Sequence, residues 1–346
     1  MNYGIPYKGS KNKIIKWLLP LLPRGEVFVD LFCGGCSVTH AAMLQRKYKR
    51  YIINDINPMM PRTFRKALAG GYRNENRWIS REDFFRLKDS DEYAAICFSF
   101  GNNLRDYIYA SKLEPYKRAC HFAIVFDDWS EMNRLCPHVV AAVYNALSGI
   151  KDLRKRRVLF GAAVLQRLKS IGDVELVASN PLYSSCHKKH DRRLNSIQNM
   201  CSFEALRSLE HLERLEGFER LERLQRLERL QRLERLQDSF LTSFAGDYQD
   251  VVIPPGAVVY CDIPYKETNV YDKSNPFDYD RFYHWALTRD FPVFVSEYQM
   301  PEGFTCIGGT ARADSMAATS TSKRIERLFV QDRFAAQGKP KTLFDW

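Results

Sequence analysis

The chain has 346 residues, 45% of them hydrophobic, and a formal net charge of +11. This length and apolar content suit one large domain or two of ordinary size, and the positive charge favours a polyanionic partner such as nucleic acid. The sequence has no run of eighteen apolar residues and no recognisable signal peptide, which argues against a membrane or secreted protein and favours the cytoplasm. The nine cysteines are scattered through apolar segments, a pattern that favours reduced thiols over a disulfide framework.

A basic loop with two tyrosines, Tyr3–Lys13, opens the chain. Tyr7 and Lys11 are the side chains in it that could face a ligand, and the alternative is a solvated basic terminus. Ser10 is a candidate N-cap for a helix that continues to Leu22.

The next segment predicts a strand, a glycine turn and a helix. The β-rich run from Val27 ends at Asp30, and Gly34 and Gly35 then lead into a helix over Ser37–Lys47. Glycines let the backbone approach a ligand closely, as in the first βα unit of nucleotide-binding sheets. The glycine spacing differs from G-x-G-x-x-G, so it does not indicate a dinucleotide fingerprint.

A second predicted strand, Tyr51–Asp55, also ends in an acid. A carboxylate at the tip of the second strand is well placed to hold the two ribose hydroxyls of an adenosine ligand. The two βα units in this order therefore predict a cofactor that contains adenosine. A metal centre is not predicted, because Cys33 and Cys36 form a lone C-x-x-C with no second pair.

The region around residue 100 combines an apolar run with a polar loop. Ile96–Phe100 predicts a strand, and the loop after it carries Asn102, Asn103 and Arg105. These three side chains could reach the bases or phosphates of a nucleic acid, and a polar turn is the alternative for each of them.

The middle of the chain shows helical spacing and basic runs. Val139–Leu147 and Val158–Leu168 have the periodicity of helices. Lys151–Arg157 and His187–Arg193 are rich in basic residues. Such runs suit phosphate contacts, although a solvated helix face has the same composition.

A leucine stands at every third position of Leu206–Leu236, except where Phe218 replaces it. A three-residue repeat slips by about 60° per step around a helix of 3.6 residues per turn, so these leucines do not form a zipper face. Phe203–Asp238 contains eight Arg, eight Glu and one Asp, so the repeat does not supply the positive charge of the chain. The pattern predicts a helical or irregular insertion that could associate with itself, and no chemistry is assigned to it.

A buried strand that runs into an Asp-Ile-Pro-Tyr turn is the strongest candidate for a site. Val258–Cys261 predicts the strand, and Asp262 follows at its carboxyl end, where open α/β sheets bind ligands. Pro264 stiffens the turn, and Tyr265 offers a flat face on which a base could stack. The Asp262 carboxylate and the Ile263 carbonyl could accept the two hydrogens of an exocyclic amine, which would make its nitrogen a better nucleophile. The alternative is an Asp-X-Pro turn without a function, as is common in α/β proteins.

Further strands are predicted at Phe291–Ser296 and Glu326–Gln331. The polar stretch Lys266–Asp280 predicts a mobile loop that could close over a ligand.

Taken in order, these motifs resemble those of the Dam-like DNA adenine-N6 methyltransferases, above all the phage and prophage members. The resemblance rests on Tyr7-Lys8-Gly9-Ser10-Lys11, Asp30 to Val38, Asn54-Asp55, Asp262-Ile263-Pro264-Tyr265, Phe282 to Ala286, Val295 to Pro301 and Arg324 to Phe329. It covers roughly residues 1–110 and 245–335 and leaves out the middle.

The resemblance implies S-adenosylmethionine as the methyl donor and no metal. The positions that match the cofactor site of the family are Tyr7, Lys11, Asp30, Phe32, Gly34, Gly35, Asp55 and Asp262. The catalytic Asp-Pro-Pro-Tyr of the family matches Asp262, Ile263, Pro264 and Tyr265. Ile263 departs from that pattern, but the first proline would act through its carbonyl, which Ile263 keeps.

The implied reaction is methyl transfer to N6 of an adenine that is flipped out of duplex DNA at a specific sequence. On the substrate side the candidates are Asn102, Asn103, Arg105 and Tyr265. An N4-cytosine methyltransferase, a catalytically silent DNA-binding protein and an RNA substrate are the alternatives. A restriction endonuclease counterpart and a bacterial or phage-infected cytoplasm fit the resemblance, and the oligomeric state is left open.

We therefore expect an α/β fold with a Rossmann-like methyltransferase sheet and an inserted, mainly helical recognition region. Residues 1–60 would be the cofactor-binding part and 61–112 a third-strand region with a DNA-facing loop. Residues 113–244 would be the target-recognition region, including the leucine-rich insertion 203–238, and 245–346 the catalytic part.

Overall fold

The computed structural model describes residues 2–171, 216–227, 240–266, 277–312 and 324–338. The chain divides into two compact units. The sheet unit comprises Met1–Arg73 and Arg223–Trp346, and the helical unit comprises Asn74–Glu222. The four regions predicted from the sequence divide the chain at other positions, and the roles assigned to them stay predictions.

The described residues of the sheet unit form a seven-stranded sheet with the order β3-β2-β1-β4-β5-β7-β6. The strands are β1 Val27–Asp30, β2 Arg50–Asp55, β3 Leu241–Ala245, β4 Val258–Cys261, β5 Val293–Glu297, β6 Phe304–Arg312 and β7 Arg324–Gln331. Strands β1 to β5 run parallel to one another, whereas β7 is antiparallel to both β5 and β6. All residues of β1, β4 and β5 are buried, as expected in the centre of a parallel sheet. The predicted fold class, an α/β fold with a Rossmann-like methyltransferase sheet, is confirmed.

The strand order reverses at β1. The chain passes from β1 to β2 and β3 on one side and then continues with β4 on the other side of β1. The carboxyl ends of β1 and β4 therefore flank the point where such sheets bind ligands. In the register of this pair Asp30 lies opposite Tyr260, so Asp30 and Asp262 project from the same edge of the sheet.

Helices pack against strands of the sheet and are the main elements described in the second unit. In the sheet unit they are α1 Ile15–Leu21, α2 Ser37–Leu44, α3 Met59–Leu68 and α11 Tyr279–Thr288. In the helical unit they are α4 Arg81–Leu87, α5 Glu92–Cys97, α6 Glu114–Val125, α7 Ser130–Leu135, α8 Pro137–Leu147 and α9 Leu153–Ile171. A further helix, α10 Glu216–Leu227, contains the boundary between the two units. Within the described ranges no helix has the length and apolar character of a membrane span.

Each unit has an apolar core of its own. In the sheet unit, Phe282 and Trp285 of α11 pack with valines of β1, β4 and β5. In the helical unit, Trp129, Met132 and Phe160 are buried together between α6, α7, α8 and α9. Cys261 is fully buried in the sheet core.

Two local predictions are wrong. Ser10 makes no capping hydrogen bond, because a 3-10 turn over Lys11–Lys13 comes before α1. The apolar run Ile96–Phe100 is not a strand: Glu92–Cys97 forms α5, since the Asp91 side chain accepts from the N–H groups at the start of that helix. The third strand of the chain is instead β3, which lies beside β2.

Some predictions fall outside the described residues. They concern the basic run His187–Arg193, most of the loop Lys266–Asp280, and the leucine repeat apart from α10.

Candidate active site

Three carboxylates meet at the carboxyl edge of the sheet. Asp30 ends β1, Asp55 ends β2 and Asp262 directly follows β4. Burial raises the pKa of Asp30 to about 7; the Thr39 hydroxyl opposes this rise, while the charges of Asp262 and Asp55 add to it. The edge therefore concentrates negative charge and hydrogen-bond acceptors at the point where the strand order reverses.

The glycine turn after β1 is fastened to the end of β2. The Gly34 N–H donates to Oδ2 of Asp55 at 2.8 Å, and the Cys33 N–H donates to the Asn54 carbonyl at 2.8 Å. The other oxygen of Asp55, Oδ1, accepts from the Asn57 N–H at 2.9 Å. Burial raises the pKa of Asp55, and these two backbone bonds oppose that rise. A carboxylate has room for further donors beyond two N–H groups, so Asp55 can also accept from a ligand.

The start of the chain lies against the same turn. The Ile5 N–H donates to the Gly35 carbonyl at 2.8 Å. A Cβ on Gly34 would stand 3.0 Å from two ring carbons of Tyr7, and one on Gly35 would stand 2.9 Å from the Tyr7 Cβ. Glycine is therefore required at both positions for Tyr7 to approach this closely, and the structure brings these three predicted cofactor residues together.

Two buried oxygens at this edge have no hydrogen-bond partner among the described residues. They are Oδ1 of Asp30 and Oδ1 of Asn54. The other oxygen of Asp30 accepts from the Thr39 hydroxyl at 2.6 Å. Because a buried acceptor without a donor is costly, both atoms suit the hydroxyl or ammonium groups of a bound ligand. The acceptors present thus fit S-adenosylmethionine, which carries ribose hydroxyls and an α-ammonium group.

Phe32, also predicted to pass the cofactor, lies in an aromatic cluster. Its ring is 5.3 Å from that of Tyr248 and 5.7 Å from those of Phe277 and Phe282, measured between centroids. The side chain is half-buried. These contacts fix the ring at the carboxyl end of β1.

Lys11 connects the start of the chain to the turn formed by Asp262–Tyr265. Its Nζ lies 2.7 Å from Oδ1 of Asp262, 3.1 Å from Oε1 of Glu326 and 2.6 Å from the Tyr265 hydroxyl. The Tyr265 hydroxyl in turn donates to Glu326. Burial by itself lowers the pKa of Lys11. The negative charges of Asp262 and Glu326, together with their hydrogen bonds to Lys11, raise it by more, so the pKa of Lys11 is raised overall. Lys11 therefore remains a cation between two carboxylates.

The turn itself is held in place on both sides. Ile263 is buried in the sheet core, whereas Pro264 is half-buried and the Asp262 side chain is 22% exposed. The Tyr265 ring meets the Tyr298 ring edge-on, with centroids 4.7 Å apart. The arrangement presents one carboxylate to the surface on an otherwise packed turn, and it can hold a hydrogen-bond donor such as an amine.

Two further carboxylates at the site were not predicted as site residues. Glu326 of β7 is fully buried, and burial raises its pKa while Lys11 lowers it. At the end of β5, burial raises the pKa of Glu297 to about 7, and its carboxylate accepts from the Tyr298 and Lys266 N–H groups. Both lie in segments that carry the family resemblance, so an acid within an apolar strand was the signal that could have identified them.

The predicted substrate-side residues other than Tyr265 belong to the helical unit. The side-chain oxygen of Asn103 accepts from the N–H groups of Arg105 and Asp106 at 2.8 and 3.0 Å, so Asn103 shapes the loop. Asn102 has a positive φ of 58°, and its buried Oδ1 has no hydrogen-bond partner within the described ranges. Arg105 is exposed. Their roles toward DNA stay predictions, as do the roles of the predicted cofactor and catalytic residues.

Comparison with known proteins gives one family. Residues 7–145 match the family of D12 class N6 adenine-specific DNA methyltransferases. No curated protein matches the chain. The matched stretch includes Tyr7, Lys11 and the glycine turn, and it agrees with the sheet and with the resemblance found in the sequence. Residues 7–145 are thus similar to the D12 class of N6 adenine-specific DNA methyltransferases, which are enzymes that act on DNA.

Proposed function

We propose that the enzyme transfers the methyl group of S-adenosylmethionine to N6 of an adenine that is flipped out of duplex DNA at a specific sequence. The observation that carries the proposal is the position of Asp262. Its carboxylate emerges at the strand reversal, follows β4 directly and shares the edge with Asp30 and Asp55. An acceptor for an amine thus adjoins acceptors for an adenosine ligand.

The catalytic turn would act on the amine. The lone pair of an exocyclic amine is delocalised into its ring, so the nitrogen is a weak nucleophile. Two acceptors, the Asp262 carboxylate and the Ile263 carbonyl, would bind its two hydrogens and favour a pyramidal nitrogen with an available lone pair. The Tyr265 ring would stack on the base, and the hydrogen bonds of its hydroxyl with Lys11 and Glu326 fix the orientation of that ring.

The cofactor residues would hold the donor in line with this amine. When bound, S-adenosylmethionine supplies an electrophilic methyl group. Asp55 would accept from the ribose hydroxyls, and Oδ1 of Asp30 would accept from the methionine part. Tyr7 would cover the glycine turn. Alignment of two bound reactants then supplies most of the acceleration.

The target base would have to leave the duplex, because its amine cannot reach Asp262 from within the stack. Flipping costs a few kcal/mol, and stacking on Tyr265 with phosphate contacts elsewhere offsets that cost. The exposed Arg105 and the loop that carries Asn102 and Asn103 are the proposed source of such contacts.

Transfer of a labelled methyl group from S-adenosylmethionine to unmodified duplex DNA, followed by nucleoside analysis, tests the proposal. Label in N6-methyladenine is the expected result. Label in N4-methylcytosine, or in RNA but not in DNA, would refute the proposed substrate. Failure of the wild-type enzyme to bind S-adenosylmethionine would refute the proposed donor.

Two variants refine this assay. Asp262→Ala should abolish transfer and leave DNA affinity within roughly tenfold, since phosphate contacts dominate affinity. Glu26→Gln is the matched control, because Glu26 precedes β1 at the opposite end of the strands and its side chain is 69% exposed. Equal loss of transfer and of DNA binding in Asp262→Ala would show that Asp262 is structural.

A further inference from the structure

Arg223, in the described part of the leucine repeat, binds the backbone of the sheet unit and has no catalytic or cofactor role assigned to it. In α10, the Nε of Arg223 donates to the Gly4 carbonyl at 2.7 Å, and its Nη2 donates to the Tyr3 carbonyl. A guanidinium that binds two successive carbonyls fixes both the position and the direction of the backbone. Arg223 therefore fastens residues 3 and 4 to the helix.

The other side of this segment faces the glycine turn. The Gly4 N–H donates to Nδ1 of His40 at 2.7 Å, and the Ile5 N–H donates to the Gly35 carbonyl. A Cβ on Gly4, whose φ is 65°, would stand 2.0 Å from the Gly35 carbonyl oxygen. The segment is thus one layer of backbone, with Arg223 on one side and the glycine turn on the other.

Residues 3 and 4 are followed along the chain by two residues of the site. Tyr7 lies against Gly34, and Lys11 reaches Asp262. The Lys11 N–H donates to the Ser37 hydroxyl at 3.2 Å, which ties the end of the segment to α2. A displacement of residues 3 and 4 would therefore affect Tyr7 and the glycine turn more directly than the turn formed by Asp262–Tyr265.

Burial supports a specific role for this arginine. Leu224 and Leu227 of α10 are buried, so the helix is seated through the repeat leucines. Burial lowers the pKa of Arg223 to about 10, and the charge of Arg226 adds to this effect. Arg226, one repeat further on, is exposed. Of these two arginines in equivalent repeat positions, one is half-buried on backbone carbonyls and the other faces solvent.

We propose that Arg223 is a positioning residue, through which the leucine-repeat helix α10 holds the Tyr3–Tyr7 segment on the glycine turn and so sets affinity for S-adenosylmethionine. The part of this inference that concerns affinity rests on the proposed function. The part that concerns the segment does not, because it predicts a property of the protein without any ligand.

The first measurement is amide hydrogen exchange in the ligand-free protein. In Arg223→Ala the Ile5 N–H should exchange about tenfold faster than in the wild type, while amides of β4 keep their rates. Arg223→Lys should give an intermediate rate, because an ammonium cannot bind both carbonyls in a fork. Arg226→Ala is the matched control and should leave Ile5 unchanged.

The second measurement is calorimetric binding of S-adenosylhomocysteine, the methyl-free product of the cofactor. Arg223→Ala should weaken binding about tenfold and raise KM for the cofactor, with little change in kcat at saturation. Wild-type rates at Ile5 in Arg223→Ala, or equal effects of Arg226→Ala, would overturn the inference. Absence of binding by the wild type would refute the proposed cofactor and leave the exchange result to decide the role of Arg223. If Arg223→Ala does not fold, Arg223→Lys provides the same test.

Discussion

The Lys11 ammonium nitrogen lies 2.7 Å from Oδ1 of Asp262 and 3.1 Å from Oε1 of Glu326. Lys11 and Glu326 are almost completely buried, whereas Asp262 keeps access to the surface. One cation thus pairs with both carboxylates and holds Asp262 in place. The start of the chain, the turn after β4 and strand β7 are joined through this single side chain.

Replacement of Lys11 by Met should destabilise the sheet unit by about 3 kcal/mol, because it leaves Glu326 and Asp262 without their shared cation in a buried setting. Urea unfolding measures the change. Lys49→Met is the matched control, since the Lys49–Glu26 pair has a similar length of 2.9 Å but exposures of 67% and 69%. That control should lose less than about 1 kcal/mol.

The double variant Lys11→Met/Glu326→Gln should recover part of the stability lost in Lys11→Met, since the buried charge is then removed with its partner. Equal losses in Lys11→Met and Lys49→Met would contradict the view that burial makes this ion pair important.

Asp30 should make stability depend on pH. Burial raises its pKa from 3.8 to about 7, so between these values the folded state holds a proton that the unfolded state has released. Stability contributed by the protonated form is therefore lost as pH rises toward 7, by about 1.4 kcal/mol per unit, and is constant above. Wild-type protein should lose about 3 kcal/mol more between pH 5 and pH 8 than Asp30→Asn does.

Asp332→Asn is the matched control for this experiment. Oδ1 of Asp332 accepts from the Thr305 hydroxyl at 2.7 Å, as Asp30 accepts from Thr39 at 2.6 Å, but Asp332 is exposed. The difference in unfolding free energy between Asp332→Asn and the wild type, measured by urea unfolding, should be the same at pH 5 and at pH 8. A parallel pH dependence of wild type and Asp30→Asn would show that Asp30 is already ionised at pH 5.

Much of the sheet could be predicted from sequence because its central strands are continuous apolar runs that end in an acid. Val27–Asp30 and Val258–Cys261 are examples, and the acids that follow them mark the carboxyl edge. The partial burial of Leu241–Ala245 explains why β3 was not predicted, since its residues are half-buried or exposed.

The remaining parts depend on contacts between distant residues. Nothing local distinguishes Ile96–Phe100 from a strand except Asp91, whose capping bonds start a helix. Glu326 becomes a site residue only when β7 is added beside β5 and brings it to Lys11. Arg223 repeats the pattern of its neighbours, and only the fold places it on the Tyr3 and Gly4 carbonyls.

The exposed Arg105 gives a prediction about DNA. If it contacts a phosphate, Arg105→Ala should weaken binding several-fold and reduce the slope of log affinity against log salt by about one. Arg50→Ala is the control, because Arg50 is exposed at the first residue of β2, away from the acidic edge. Filter binding of duplex DNA over a range of salt concentrations makes the measurement, and an unchanged slope would remove Arg105 from the DNA contacts.

The approach of Tyr7 to Gly34 gives the last prediction. In Gly34→Ala the new Cβ would stand 3.0 Å from two carbons of the Tyr7 ring, and the residue has a φ of 45°. Gly256→Ala introduces a Cβ at a φ of 71° with no atom within 4 Å, so it reports the backbone strain alone. We expect Gly256→Ala to cost about 1 kcal/mol of stability.

Gly34→Ala should cost more than this and should also weaken cofactor binding, because the Tyr7 ring is displaced from the turn. Tyr7→Ala removes the ring, so the double variant Gly34→Ala/Tyr7→Ala should lose less stability than the sum of the two single variants. Urea unfolding and calorimetry measure the two effects. Strict additivity would mean that the Tyr7 ring shifts without cost, and Tyr7 would then not be held against the turn by packing.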